Sequence, residues 1–459
     1  MLAMRKHDSE IVESIMSTVS AQLRERRQHL ALGELCVEGQ LSTLRGLTLE
    51  ATGCRATMGT RCLIDTVDGK PIEAQVVGFN RERTLLMPAA SVQGIRSMAR
   101  VRPIATQMTA PKGAGLLGRV IDAQGQPIDG LGELKTSGCV PLMGRSINPL
   151  ERAPVNQVFD VGVRAVNGLI TLGRGQRVGL FAGSGVGKSA LLGMMTQHSE
   201  ADVTVIGLIG ERGREVNDFV RDTLGAVGLQ RAIVVAVPAD QPPLARLQGA
   251  MLATAIAESF RAEGKQVLLL IDSLTRFAQA QREIGLATGE PPTSKGYPPS
   301  AFALLPQLVE RAGNLANGGS ITGIYTVLAE GDDQNDPVVD AARAVLDGHI
   351  VLTRQLSDAS HYPAIDIGAS VSRIRSAVND PEQEALIKRC LQLAAAYREQ
   401  KDMLNVGLYQ RGADPILDEA VELWPRLQVF LQQSSNEGVD LATARLSLAE
   451  LFQENAISA

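Results

Sequence analysis

The sequence predicts an α/β fold built on a mostly parallel sheet, preceded by a small β-barrel domain and followed by a C-terminal helical domain. Three observations carry this. Between about 105 and 375 short apolar runs alternate with helical patterns, as in Val203–Leu208, Ala232–Val237, Val267–Ile271 and Ile321–Leu328, which is the signature of a parallel sheet covered on both faces. Between 34 and 100 short β-type runs are separated by Gly, Asp-Gly and Asn-Arg turns, which suits a small barrel or sandwich. After Asp380-Pro381 the pattern is helical throughout.

Taken in order, residues 1–33 form a first segment. Ile11, Val12, Ile15, Met16, Val19 and Leu23 stand at helical spacing, with Asp8 or Ser9 placed to cap the start. This amphipathic helix either packs on its own domain or protrudes to bind another protein. Residues 34–104 form the β-domain, with strand-like runs at Leu41–Leu49, Arg61–Thr66, Ala74–Phe79 and Thr84–Met87. Residues 105–378 form the sheet domain. Residues 379–459 form the tail, where Leu386, Cys390, Leu393 and Tyr397 make one stripe. The stretch "GEPPTSKGYPPSAF" (289–302) is polar and proline-rich; it is either a pore-lining loop offering Lys295 and Tyr297 or a rigid structural loop.

With 459 residues the chain is too long for one compact core. Its 44% hydrophobic and 21% charged content is that of a globular protein, and a net charge of −5 argues against a mainly electrostatic hold on nucleic acid or anionic lipid. The five cysteines form no CxxC pair, so neither a disulfide framework nor a zinc site is expected, and reduced thiols in the cytoplasm are. No apolar run approaches the roughly 20 residues that span a bilayer, and the N-terminus lacks the apolar centre of a signal peptide. Work at a membrane would go through a partner.

The chemistry lies in "AGSGVGKS" (182–189), which follows the apolar run Val178–Phe181. Gly183, Gly185 and Gly187, with Ser184 and Val186 between them, let the backbone curl so that several N–H groups point inward, and the following helix adds its positive end. Lys188 reaches the β- and γ-phosphates of a nucleoside triphosphate; Ser189 offers a hydroxyl to Mg²⁺. Ala182 replaces the usual first glycine of this pattern. Two carboxylates follow. Asp272 ends the buried run "QVLLLID", where it either holds the metal or caps the next turn. Glu211, in "GERGREV" (210–216), either polarises the attacking water or makes a loop ion pair, with Arg212 beside it for the γ-phosphate.

The stretches "LLGRVIDAQGQPIDG" (116–130), "GRGQRVGLFAGSGVGKS" (173–189), "GERGREV" (210–216), "LLLIDSLTRFAQAQREIGLATGEPP" (268–292), "DGHIVLTR" (347–354) and "YPAIDIGASVSR" (362–373) together resemble the hexameric ATPases of type III protein export, which are similar to the catalytic subunit of rotary ATP synthases. The segments 328–354 and 404–420 resemble the flagellar export branch more than the virulence-secretion branch. The resemblance implies a RecA-like P-loop ATPase core, ATP and Mg²⁺ as ligands, and Mg-dependent hydrolysis coupled to protein export. It implies Gly183–Ser189 as the phosphate loop, Glu211 as catalytic glutamate, Arg212 as phosphate sensor, Ser189 and Asp272 at the metal, and Tyr362 stacking on adenine. It implies that Arg373 reaches into the neighbouring subunit's site. Read alone, Tyr362 is a core or interface tyrosine and Arg373 a surface arginine paired with a carboxylate. Asn167 stands where many relatives carry Asp, with little effect expected on chemistry. His349 and His361 are expected to be structural or surface residues.

The resemblance also implies partners: further copies of the chain in an active homohexamer, a negative regulator gripping the N-terminal helix, a central stalk protein, export-gate membrane proteins and chaperone-bound substrates. The implied place is the cytoplasm, at the inner-membrane export apparatus. A hexameric RNA translocase would share the phosphate loop and the β-domain, but residues 34–100 offer Phe79 as their only aromatic platform, so no specific nucleic acid is expected. A non-catalytic nucleotide-binding subunit would lack the glutamate that Glu211 supplies.

Overall fold

The computed structural model describes residues 37–104, 107–144, 147–316, 318–328 and 336–453. The N-terminal helix expected from Ile11, Ile15 and Val19 lies outside these residues.

Six strands, β1 (Gly39–Arg45), β2 (Thr48–Thr52), β3 (Arg61–Ile64), β4 (Ile72–Asn80), β5 (Arg83–Pro88) and β6 (Arg100–Ile104), close an antiparallel barrel in the order β1-β2-β5-β4-β3-β6. Alternate residues face inward, so Leu41, Leu49, Ala51, Cys62, Ile64, Val76, Leu86 and Val101 fill the barrel. The run expected as one strand over Leu41–Leu49 is two. Gly46 adopts φ 55°, the left-handed backbone a two-residue hairpin needs, and Arg45 pairs with Thr48 across it. Strand β6 was not legible in the sequence because Arg100, Arg102 and Pro103 break its apolar pattern.

The barrel leads into a two-stranded ribbon, β7 (Thr109–Lys112) with β9 (Gly138–Pro141), and into the large sheet. Its strands are β8 (Val120–Ile121), β10 (Arg177–Ala182), β11 (Val203–Ile209), β12 (Ala232–Val237), β13 (Gln266–Asp272), β14 (Gly313–Asn314), β15 (Ser320–Leu328), β16 (Gly348–Leu352) and β17 (Val371–Ser372). The order is β17-β16-β10-β15-β13-β11-β12-β8, with β14 also on β15. Only β14 and β17 run antiparallel to their neighbours. The central strands are apolar along their whole length because helices cover both faces. Leu268 and Leu270 of β13 enter one core; Val267, Leu269 and Ile271 enter the other. The helix Pro243–Ala262 lies close against one face because Gly249 has no side chain: a Cβ there would meet Val237 at 2.4 Å.

The helices Pro381–Asn405, Pro415–Leu431 and Leu441–Gln453 form the C-terminal part. Asp380 and Asp414 cap the first two through Gln383 N and Ile416 N. The expected stripe is present, and Tyr397 stacks on Trp424 at 4.3 Å between ring centroids. Ile387, Cys390, Leu423, Leu427 and Phe430 share one apolar core with Leu169, Ile170 and strand β10, so this part is anchored on the sheet domain. Asn167 is part of the anchor. It is 1% exposed, donates to Asp160 and to the Val439 carbonyl, and accepts from Val161 N.

Of the two readings of the 289–302 loop, burial favours the structural one at Tyr297. That ring is 5% exposed, packs against Phe302, and carries the Arg282 guanidinium 5.1 Å from its centroid. His361 is buried beside Gln432, and His349 contacts the Ala369 carbonyl and the Phe181 ring edge, which agrees with structural roles. Cys54, Cys62, Cys139 and Cys390 are free thiols.

Candidate active site

Strand order explains why distant residues meet. In the sequence β10, β11 and β13 are separated by dozens of residues; in the sheet β10, β15, β13 and β11 are consecutive neighbours. Their carboxyl ends open on one cleft, as expected of a parallel sheet. Strand β10 delivers the phosphate loop, β13 ends on Asp272, and β11 is followed by Gly210 and Glu211. Strand β15, between β10 and β13, contributes Thr326.

The loop Gly183–Gly187 turns through Gly185 (φ 79°) and Gly187 (φ 89°). Gly187 is the N-cap of helix Lys188–His198 and offers no capping side chain. The first-turn amides are therefore left for a ligand, at the positive end of the helix. Val186 is buried and pins the loop, while Ser184 and Ser189 are exposed. The cleft encloses about 700 Å³ and is lined by the phosphate loop, Lys188, Ser189, Glu211, Arg212, Glu215, Arg276 and Arg354 among others. A larger cleft of about 790 Å³, between the barrel and helix Pro243–Ala262, shares none of these residues, and among the described residues no carboxylate lines it.

Lys188 is the electrostatic centre. Its Nζ donates to Asp272 Oδ1 at 2.6 Å, to Asp272 Oδ2 at 2.7 Å and to Glu211 Oε1 at 3.2 Å. Burial works against its charge, but the Asp272 and Glu211 carboxylates outweigh burial and hold the ammonium above its ordinary range. Asp272, 3% exposed, is pushed up by burial and by Glu211, against the pull of Lys188 and of Thr326, whose Oγ1 donates to Asp272 Oδ1 at 2.6 Å. Two carboxylates thus face one ammonium. With the free Ser189 hydroxyl on the same cleft, they are the hard-oxygen donor set that suits Mg²⁺.

Arg212 lines the cleft but is exposed and pairs with Glu215 at 3.2 Å. Tyr362 stands at the cleft's edge. Its ring atoms lie 3.5 Å from where a Cβ on Gly187 would be, it is 46% exposed, and its hydroxyl meets Ser357 Oγ at 2.9 Å. The Tyr362–Pro363 peptide is cis. Arg373 does not join the group. It follows the edge strand β17, is exposed, and donates to the Arg343 carbonyl at 3.2 Å.

The sequence reading missed three residues. Thr326 orients Asp272, a role that only the strand order reveals. Arg276 stands on helix Leu274–Ala287, four residues past Asp272, with its stem against Gly210, where a Cβ would meet it at 2.9 Å. Arg354 follows β16 and donates to the Ser184 carbonyl at 3.3 Å. The rule that strand carboxyl ends line the site would have found both arginines.

Fold and cleft together define a P-loop ATPase of the rotary ATP-synthase type. Residues 162–372 match the nucleotide-binding domain of the ATP synthase alpha/beta family, and residues 379–450 match the C-terminal domain of the type III secretion ATPase EscN. The chain is 54% identical over 420 residues to the flagellum-specific ATP synthase of Pseudomonas aeruginosa, covering 91% of this chain and 93% of that one. It is 53% identical over 425 residues to that of Salmonella typhimurium, covering 90% and 93%. The assembled ATPase EscN of the enteropathogenic E. coli type III secretion system superposes with a TM-score of 0.85 at 40% identity, covering 90% of this chain and 99% of that one. The chain belongs to the type III protein-export ATPase family, among the flagellum-specific ATP synthases. It is an ATP hydrolase.

Proposed function

We propose that this chain hydrolyses ATP in a cleft completed by a second copy, and that the energy assists delivery of chaperone-bound flagellar proteins to a membrane export gate. The observation that carries the reading is the meeting of Lys188, Glu211 and Asp272 at the phosphate loop, with Arg373 held outside its own cleft. An incoming triphosphate takes the Lys188 ammonium and the loop amides. Glu211, released from Lys188, orients the water that attacks the γ-phosphorus in line, and ADP leaves. Ser189 and Asp272 would hold Mg²⁺, which when bound neutralises charge on the β- and γ-oxygens. Arg212 and Arg276 face the phosphoryl end, and Tyr362 offers its exposed ring to the base. Arg373 of a neighbouring copy supplies the remaining positive charge in the transition state.

Identity of 53–54% to flagellar relatives supports the flagellar branch. The assembled EscN structure supports a homohexamer, and EscN in complex with its central stalk EscO, superposing at a TM-score of 0.83, supports a stalk partner. A negative regulator at the N-terminal helix and the gate proteins complete the proposed set. Among the described residues no helix is long and apolar enough to cross a membrane, which is compatible with a peripheral position at the inner-membrane apparatus.

Glu211→Gln tests the assignment. It keeps the shape and the hydrogen bond to Lys188 but loses the carboxylate. Nucleotide affinity is expected to stay within about threefold while hydrolysis falls about 10²-fold or more. Equal loss of binding and turnover would make Glu211 a structural residue. Specific activity should also climb steeply with protein concentration as copies assemble; a flat line would show a self-sufficient protomer.

A further inference from the structure

Gln433 sits just past the end of helix Pro415–Leu431, is 6% exposed, and has its main-chain N–H and both side-chain amide atoms hydrogen-bonded. Its main-chain N–H donates to the Tyr362 carbonyl at 3.0 Å. Its Oε1 accepts from Arg164 N at 2.7 Å, and its Nε2 donates to the Gly162 carbonyl at 2.9 Å and to the Glu437 carbonyl at 2.8 Å. The preceding Gln432 reaches His361 Nδ1 at 3.3 Å. The corner at Tyr362 is thus held from behind by two successive C-terminal residues, while its ring faces the phosphate loop at Gly187. A buried amide with all its bonds made has one low-energy placement, and losing any of them leaves a carbonyl or an N–H unpaired.

We propose that Gln433 is a positioning residue: it fixes Tyr362 over the cleft, so that the C-terminal helices set the affinity for the base end of the nucleotide and not for its phosphates. This rests on the reading of Tyr362 as the base-facing ring. It also implies traffic in the other direction, because a base that loads Tyr362 must load the C-terminal segment equally.

Two measurements on the full chain test it. The first compares equilibrium binding of ADP and of inorganic tripolyphosphate, which has no base, for the wild type and Gln433→Met. The side chain of Met fills the space but drops three hydrogen bonds. ADP affinity is expected to fall about tenfold, as for loss of one stacked base, with tripolyphosphate affinity unchanged within about twofold. KM for ATP rises with kcat nearly kept. Equal weakening of both ligands, or of neither, overturns the proposal. Lys188→Ala serves as the reference: if it spares tripolyphosphate binding, the reading of the cleft itself has failed, not the role of Gln433. The second measurement needs no variant. Trp424 is the chain's one tryptophan and is stacked in the C-terminal helices. ADP is expected to shift its emission and tripolyphosphate to leave it unmoved. An emission that ADP does not move overturns the proposal, even if Gln433→Met fails to fold.

Discussion

Lys188→Ala is expected to lower ATP turnover by about 10³-fold or more, since the transferred phosphoryl loses the cation that compensates its developing charge. The same change should mark the unliganded protein. Lys188 pairs with both Asp272 and Glu211, and its removal leaves these carboxylates without their shared cation, with Asp272 almost fully enclosed. Breaking one partner out of a buried ion pair costs about 3 kcal/mol unless the remaining group neutralises itself. Here it does so by binding a proton. Asp272 is already raised above its ordinary 3.8 by burial, and without the ammonium it rises further. A carboxyl raised in the folded state binds a proton that the unfolded chain has released. Its contribution is intact below the unfolded value and lost as pH climbs through the folded one. In the wild type, by contrast, the raised ammonium keeps its pairing up to and beyond its ordinary 10.5. The gap in melting temperature between wild type and Lys188→Ala should therefore be small in acid and widen toward alkaline pH. Turnover near the wild-type rate, or a gap that shrinks with rising pH, would show that Lys188 does not hold this position.

The residues that read clearly were those whose chemistry is local. Gly183 to Ser189 follow a strand and open a helix, and the loop's task is carried by backbone geometry that a run of glycines announces. Strand β13 was legible because it is apolar on both faces, and Asp272 because it breaks that run at its end. Glu211 was ambiguous in sequence, where nothing distinguishes it from a loop ion pair; the neighbouring positions of β11 and β13 bring it within 3.2 Å of Lys188. Thr326 gave no sequence signal, since a threonine in a buried strand has an ordinary packing role, and only the insertion of β15 between β10 and β13 makes it a partner of Asp272. Tyr297 was undecided in sequence, where a polar, proline-rich loop reads equally as pore lining or as rigid structure; the ring is packed by Phe302 and Arg282. Gly46 shows the limit at short range: one left-handed residue divided an apolar run that period alone joined.

Arg373→Ala is expected to cost about 10³-fold in turnover, the lower end for an arginine supplied to a phosphoryl-transfer site, with nucleotide binding kept. The structure explains how an exposed arginine can be well placed. Its main-chain N–H donates to the Asp347 carbonyl at 3.0 Å and its guanidinium to the Arg343 carbonyl. The Arg343 guanidinium in turn lies 5.1 Å over the ring of Phe181 in β10, the strand that delivers the phosphate loop. On the proposed reading, the arginine offered to a neighbour is thus backed by the strand that shapes the donor's own cleft. Sharing of sites has a sharper consequence than loss of activity. Mix Arg373→Ala, whose clefts keep Glu211, with Glu211→Gln, whose outer edges keep Arg373. Each alone turns over at about a hundredth of the wild-type rate or less. With random assembly, half of all clefts retain the glutamate and half of their neighbours retain the arginine, so about a quarter of the interfaces are whole and activity should return to about that fraction of wild type. No such recovery is possible if each protomer completes its own site. A mixture as inert as its parents, measured where the two variants demonstrably co-assemble, would place Arg373 outside the reaction.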